Sequence, residues 1–246
     1  MSTNGRVAVV TGGACGIGKA TCARLLADGL TLAVCDIDEA GAAAGAGPGG
    51  LARGLDVTDE TAVTAFVDDV VQAYGRIDVL VNNAGITGSR EATVLHVTPV
   101  EEWDRVIAVN VRGPFLFSRA VLPVMIDQGE GHVITIASVA GQVAFPGRSA
   151  YTASKGAALQ LARSIAVDYA QHGIRSNAVC PGMAFTNMTR WRLEVPELRA
   201  AMEAKIPMGR VADADDVADL VALLASDRLR YVTGAALVID GGYSAL

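Results

Sequence analysis

The sequence predicts an α/β fold: one doubly wound (Rossmann-type), seven-stranded parallel sheet with helices on both faces. Three observations carry that prediction. Short apolar runs alternate with longer stretches of helical periodicity along the 246 residues. Most of those runs are apolar throughout instead of alternating, as strands buried on both faces require. The first run passes directly into a glycine-rich turn and then a helix.

The elements can be taken in order. RVAVVT (6–11), TLAVCDI (31–37), IDVLVNN (77–83), HVITIAS (132–138), IRSNAVCP (174–181) and AALVID (235–240) read as strands, and LARGLDV (51–57) as a weaker one. Segment 58–74 repeats Val63, Phe66, Val67, Val70, Val71 and Tyr74 at helical spacing. AGAAAGAGPGG (40–50) reads as a short helix fraying into a loop. Segment 98–128 is long, and Pro114 and Pro123 within it predict a kink or a break. Segment 213–225 starts on Asp213, an N-cap residue, and carries acidic residues in its first turn, where the helix dipole favours them. Neither a repeat nor a break in composition divides the chain, so residues 1–246 are read as one domain.

Apolar residues make up 51 % of the chain and charged ones 19 %, which excludes a disordered chain. The net charge of −6 argues against nucleic acid or an anionic membrane as partner. The N-terminal MSTNGRVAVV has no signal-peptide layout, and no apolar run spans a bilayer, so a cytoplasmic location is expected. Cys15, Cys22, Cys35 and Cys180 make no CxxC pair and no zinc-site spacing. Free thiols in a reducing compartment are expected, and no metal site. The histidines His96, His132 and His172 are scattered and read as surface or loop residues, with His96 bordering the pocket loop.

The first strand runs into TGGACGIG (11–18). Gly12, Gly16 and Gly18 leave the backbone bare where the strand turns into the helix, so a pyrophosphate can approach the amides at the positive helix end. The spacing is Gly-x3-Gly-x-Gly, not GxGxxG. Asp36 closes the second strand, where a carboxylate accepts hydrogen bonds from the adenosine ribose hydroxyls and repels a 2′-phosphate. Ala14, Cys15, Ile37 and Asp38, the positions for a compensating cation, include no base. NAD is therefore favoured over NADP. Asp36 could instead cap the next helix, although Asp38 is the more natural cap.

SAYTASKGA (149–157) holds Tyr151 and Lys155 four residues apart, on one face of a helix. A tyrosine packed on a lysine stem is the plain reading. A phenol whose proton is made easier to move is the chemical one, because a nearby ammonium favours phenolate. Ser138, at the end of the fifth strand, can donate to a substrate oxygen. Taken alone it would be an ordinary loop serine, and Asn110 an ordinary helix residue.

The ordered set TGGACGIG, Asp56-Val57, NNAG (82–85), Asn110, Ser138, YTASK (151–155), PGMAFT (181–186) and TGAALVIDGG (233–242) resembles the single-domain short-chain dehydrogenase/reductase family, over nearly the whole chain. The resemblance implies hydride transfer between a secondary alcohol or ketone and a nicotinamide cofactor, with Tyr151 as general acid/base. It implies a catalytic group of Ser138, Tyr151, Lys155 and Asn110, the last holding a water through a helix kink. Gly12, Cys15, Gly16, Ile17, Gly18, Asp36 and Ile37 would bind the cofactor. So would Asp56 and Val57 beside the adenine, and Asn83, Ala84 and Gly85 along its length. Lys155 would also grip the nicotinamide ribose, and Tyr151 lies beside it. Thr186 would bind the nicotinamide carboxamide, with Pro181 and Gly182 shaping that turn and Ala184 also among the cofactor-binding residues. Substrate choice would fall to loops 87–97, 139–149 and 183–207, the last a lid. Val143, Phe145, Arg148, Met188 and Trp191 are the candidate substrate residues. Val143, Phe145 and Trp191 suggest an apolar or ring-shaped substrate, whereas Arg148, with Arg90, Arg190 and Arg192, raises an anionic one. A homotetramer is implied, pairing helices 98–128 and 149–171 at one interface and helix 213–225 with strand 235–240 at the other. Two further readings are an inactive NAD-binding sensor on the same fold and a nucleotide-sugar epimerase or dehydratase. The intact Ser138, Tyr151 and Lys155 oppose the first. The absence of a large C-terminal lobe opposes the second.

Overall fold

A computed structural model of the chain describes residues 5–89 and 94–245. Seven strands pair in parallel: β1 (Val7–Thr11), β2 (Thr31–Asp36), β3 (Leu51–Gly54), β4 (Val79–Asn82), β5 (Gly131–Ile136), β6 (Ile174–Pro181) and, last in the chain, β9 (Ala236–Ile239). Their order across the sheet is β3-β2-β1-β4-β5-β6-β9. The direction of winding reverses between β1 and β4, whose register pairs Ala8 with Val79. Open α/β sheets receive ligands beyond the carboxyl ends of the strands at such a reversal.

The apolar strands have helices on both faces. One core packs Val7, Val9, Leu80 and Val133 against α3 (Glu60–Tyr74) and α5 (Gly113–Gln128), with Phe66 and Phe117 meeting edge to face at 6.3 Å. The other packs Ala8, Val10, Leu32 and Ile134 against α1 (Gly16–Ala27), α2 (Glu39–Ala46) and α9 (Ala214–Ala225). Local chemistry starts these helices where the residues predict. Asp38 caps α2 by accepting from Gly41 N, and Asp59 caps α3 by accepting from Thr61 N and Ala62 N. Asp213 and Asp216 form a reciprocal capping box at α9.

Segment 98–128 does break. α4 (Val100–Ile107) passes through a π-helical turn (Ala108–Arg112) into α5. The extra residue of the π turn makes the break. Pro114 sits harmlessly in the first turn of α5, where no amide donor is needed, and Pro123 is carried inside α5. α6 (Ser149–Tyr169) carries the Tyr151–Lys155 pair. The 183–207 segment is not a bare loop: it contains β7 (Ala184–Phe185), α7 (Arg190–Leu193) and α8 (Pro196–Glu203). β7 pairs with β8 (Ala212–Asp213) in a two-residue ribbon that its short length hid in the sequence.

His132 corrects the expectation of a surface or loop histidine. It lies on β5 and is buried. Asn177 Nδ2 donates to its Nε2 at 2.9 Å, so Nδ1 carries the proton and donates to Leu224 O at 3.0 Å. Burial and the Arg175 charge lower its pKa to about 3. His96 and His172 are exposed. The four cysteines are unpaired. Among the described residues no helix is long and apolar enough to cross a membrane, and no three His, Cys, Asp or Glu side chains gather as metal ligands.

Candidate active site

The glycine turn between β1 and α1 is shaped by close backbone approach. A side chain at Gly18 would place its Cβ 2.0 Å from the Gly12 carbonyl oxygen. Gly12 has φ +67° and lies against Ala84, where a Cβ would come within 2.8 Å of Cα. Cys15, the N-cap of α1, makes no side-chain cap, and no carboxylate lies in the first helical turn. The helix therefore begins with open amides and an uncompensated positive dipole end, which can receive a phosphate. Ile17 is partly buried against the core, and Cys15 is exposed. Burial, then the nearby Asp36 carboxylate, hold the Cys15 thiol above its ordinary range.

Asp36 reaches this turn from the tip of β2. Its Oδ2 accepts from Ala14 N at 3.0 Å and its Oδ1 from Asp38 N at 3.1 Å. Beside it Ile37 stands 84 % exposed, an apolar side chain facing open solvent at the sheet edge. Asp56, beyond the end of β3, accepts from Thr58 N, and Val57 is buried beneath it against Gly113. The end of β4 is tied to the turn by a residue that the sequence reading treated only as part of a motif. Thr11 Oγ1 accepts from Asn83 N and Ala84 N, both at 3.0 Å. Asn83 Nδ2 in return donates to Thr11 O and Gly12 O. Gly85 leaves space between Asn110 and Lys155: a Cβ there would sit 3.3 Å from Asn110 Oδ1 and 3.4 Å from Lys155 Nζ.

Ser138, Tyr151 and Lys155 come together at the ends of β5 and α6. The Ser138 side chain faces the Tyr151 phenol, and its Oγ donates to Pro181 O at 3.4 Å. Ser138 Oγ also accepts from Ala140 N at 3.0 Å. Lys155 is buried, its Nζ donates to Ile136 O at 2.8 Å, and it lies 5.8 Å from the centre of the Tyr151 ring. One expectation needs correction here. In the protein alone the phenol is raised above its ordinary pKa, not lowered: burial pushes it up, and the Ser138 hydroxyl pulls back only in part. Lys155 is itself brought down to about 8 by burial. Spacing alone reported the shared helix face but not the low dielectric in which both groups sit.

Asn110, buried in the π turn, uses its amide as a clamp. Oδ1 accepts from Ile86 N and Nδ2 donates to Ile86 O, both at 2.8 Å, and Nδ2 also reaches Ser154 Oγ at 2.9 Å. Ser154 in turn donates to Tyr151 O at 2.7 Å. Ser154 is thus the link between the clamp and the tyrosine turn.

The substrate candidates divide. Arg148 lies next to Tyr151 in a small polar pocket with Thr87, Thr98 and Glu102, and Arg148 Nη1 donates to Ser89 O. Phe145 stacks on Tyr243, centroids 5.9 Å apart and planes 10° from parallel. Val143 is half-buried in the same loop. Met188 and Trp191 are each 38 % exposed, and Trp191 Nε1 donates to Met188 O. Phe185 and Leu193 instead pack inside the lid segment with Met202, Ile206 and Val211. Arg190 lies over the Phe185 ring and near Glu194, whereas Arg192 makes no side-chain hydrogen bond or ion pair among the described residues. Arg90 lies outside the described residues. Pro181 and Gly182 close β6, with Gly182 N donating to Ile239 O at 2.9 Å. Ala184 is buried on β7, and Thr186 stands over the glycine turn, 3.4 Å from where a Gly16 side chain would begin.

A bare helix start, a carboxylate at the tip of the second strand and a serine–tyrosine–lysine group at one sheet edge define the short-chain dehydrogenase/reductase class, and the chain belongs to that family. A family model described as enoyl-(acyl carrier protein) reductase matches residues 12–244. The 2-(R)-hydroxypropyl-CoM dehydrogenase of Xanthobacter autotrophicus (strain ATCC BAA-1158 / Py2) is 54 % identical, over 98 % of this chain and 99 % of its own. The cis-4-hydroxycyclohexanecarboxylate dehydrogenase of Sinomonas cyclohexanicum is 42 % identical, over 98 % and 97 %. The crystal structure of gox2181 superposes with a TM-score of 0.94 at 36 % identity, covering 100 % of this chain and 98 % of that one.

Proposed function

We propose that the protein is an NAD-dependent oxidoreductase interconverting a secondary alcohol and its ketone, with Tyr151 as general acid/base. The observation that carries this reading is the meeting of Ser138, Tyr151 and Lys155 at the sheet edge that also holds the glycine turn and Asp36. NAD, when bound, supplies the acceptor for the hydride leaving the alcohol carbon. The chain's own residues do the rest. The open amides of Cys15, Gly16, Ile17 and Gly18 receive the pyrophosphate, and Asp36 takes the adenosine ribose. Ile37, Asp56 and Val57 flank the adenine. Asn83, Ala84, Gly85, Pro181, Gly182, Ala184 and Thr186 line the remainder. Ser138 Oγ donates to the substrate oxygen and orients it, and Tyr151 Oη takes the hydroxyl proton as the carbonyl forms. Lys155, as a cation, stabilises the phenolate that results.

Preference for NAD follows from charge. Asp36 occupies the place a 2′-phosphate would need, and Ala14, Cys15, Ile37 and Asp38 offer no cation to offset it. The substrate we propose is an anionic alcohol. The relatives named above act, by name, on a hydroxypropyl-CoM and on a hydroxycyclohexanecarboxylate, and the second of these carries an acid group. Arg148 lies beside Tyr151, and Arg192 in the lid has its guanidinium uncommitted among the described residues. We further propose a cytoplasmic homotetramer.

The direct test follows NADH absorbance with NAD or NADP over hydroxypropyl thioether sulfonates, hydroxycyclohexane carboxylates and neutral cyclopentanol. Turnover with NAD, fastest on the sulfonates or carboxylates, is the expected result. NADH binding without turnover on any alcohol would instead establish the inactive-sensor reading. Arg148→Leu should raise KM for the anionic alcohols about tenfold or more, the scale of a lost charge-assisted contact, and leave the neutral alcohol unaffected. Because Arg148 also holds Ser89, Arg148→Lys separates charge from loop anchoring: recovered KM assigns the effect to charge.

A further inference from the structure

The C-terminal Tyr243 belongs to no motif discussed above, yet its ring meets both the loop that leads into the Tyr151 helix and the 183–207 segment. One face stacks on Phe145 of the 139–149 loop, centroids 5.9 Å apart and 10° from parallel. Tyr243 also packs against the lid cluster of Leu193, Met202, Ile206 and Val211. Its backbone is held firmly. The Asp240 carboxylate accepts from Gly242 N and Ser244 N, both at 2.8 Å. Gly241 has φ +63°, and a side chain there would meet Ile206 at 2.7 Å; Gly241 O also accepts from Met208 N at 3.1 Å. The turn is therefore wedged between the lid and the substrate loop, with the Tyr243 ring spanning the gap.

We propose that Tyr243 determines substrate specificity by fixing the position of Phe145 relative to the lid, so that the stacked pair sets the length of the pocket beyond Tyr151. The proposal rests on the alcohol-oxidising reading of the site. Phe145 lies between Ser138 and Tyr151 in the chain, and its loop leads directly into the helix carrying the tyrosine. With one ring face covered by Tyr243, Phe145 cannot swing toward the lid to admit a longer substrate. Removing the Tyr243 ring frees Phe145 and detaches the loop from the lid.

The test uses the full chain and the 2-alkanols from propan-2-ol to octan-2-ol with NAD. Tyr243→Phe keeps the stack and should match the parent. Tyr243→Ala should change the ratio of kcat/KM between octan-2-ol and propan-2-ol about tenfold, on the scale by which apolar pockets sort methylenes, with NADH affinity unchanged. An equal change across all chain lengths, or none, overturns the proposal. A second readout needs no turnover. Trypsin cleavage within the lid, at Arg190, Arg192, Arg199 or Lys205, should be faster in Tyr243→Ala than in the parent or in Tyr243→Phe. If the parent oxidises none of these 2-alkanols, the cleavage readout decides the coupling, and unchanged cleavage overturns it; the functional reading fails only if the anionic alcohols are left unoxidised as well. Tyr243→Leu replaces Tyr243→Ala should the latter fold poorly, since it retains apolar contact with the lid but loses the stack.

Discussion

At the scale of single residues, burial governs the titrating groups. The Tyr151 phenol rises and the Lys155 ammonium falls to about 8, each because its charged form is desolvated. A phenol raised in the protein alone needs the cation beside it, and any positive charge brought by an oxidised nicotinamide, to release its proton near neutrality. His132 shows the same principle away from the site. Its folded pKa, about 3, lies below the ordinary histidine value of about 6.5. Between those values the unfolded chain binds the extra proton and the folded one does not. Stability should therefore hold above about pH 6.5 and fall as pH drops from there toward 3. Urea midpoints measured across that window should show the decline. His132→Gln, which keeps an acceptor and a donor but does not titrate, should flatten it. Equal slopes for parent and variant would show that other groups govern acid lability.

At the scale of elements, the turn and the caps were legible because their chemistry is local. The glycines of 12–18, the Asp38 cap and the Asp213 cap each depend on residues within a few positions, and all appear where their side-chain types predict. The elements that escaped depend on distant partners. The β7–β8 ribbon joins residues 184–185 to 212–213, and the Asn110 clamp joins residue 86 to residue 154. No periodicity within one segment reports such pairings. Likewise His132 read as surface because polarity was judged without the neutral, doubly bonded environment that Asn177 and Leu224 provide. A prediction belongs to the glycine turn. Gly18→Ala would force Cβ onto the Gly12 carbonyl oxygen, so the turn must open. NADH affinity, followed by fluorescence, should fall at least tenfold, a loss of about 1.4 kcal/mol or more. Retained affinity would show that the turn does not bind the cofactor.

At the scale of the whole molecule, the sheet order and its point of reversal bring residues from six strand ends to one edge. That convergence made the fold, and the grouping of Ser138, Tyr151 and Lys155, readable from ordered motifs. The substrate loops were less readable, because their side chains pack by tertiary context: Phe185 and Leu193 turn into the lid, whereas Met188 and Trp191 stay exposed. The faces of α5 and α6 leave a groove lined by Phe115, Leu122, Ile126, Leu161, Ile165 and Tyr169, with Phe115 48 % exposed. Exposed apolar surface of this kind suits the proposed helix-paired interface. Phe115→Asp should move the sedimenting species to a smaller assembly, and an unchanged distribution would place the interface elsewhere.

The measurement that bears most directly on the central claim compares the parent with Tyr151→Phe, using NAD and an oxidisable secondary alcohol. NADH formation and NADH binding are followed on the same samples. Tyr151 as the proton acceptor predicts that turnover falls by at least about a hundredfold, the usual scale of general acid–base catalysis, while NADH affinity stays within about twofold. Turnover that survives the loss of the phenol would contradict the account.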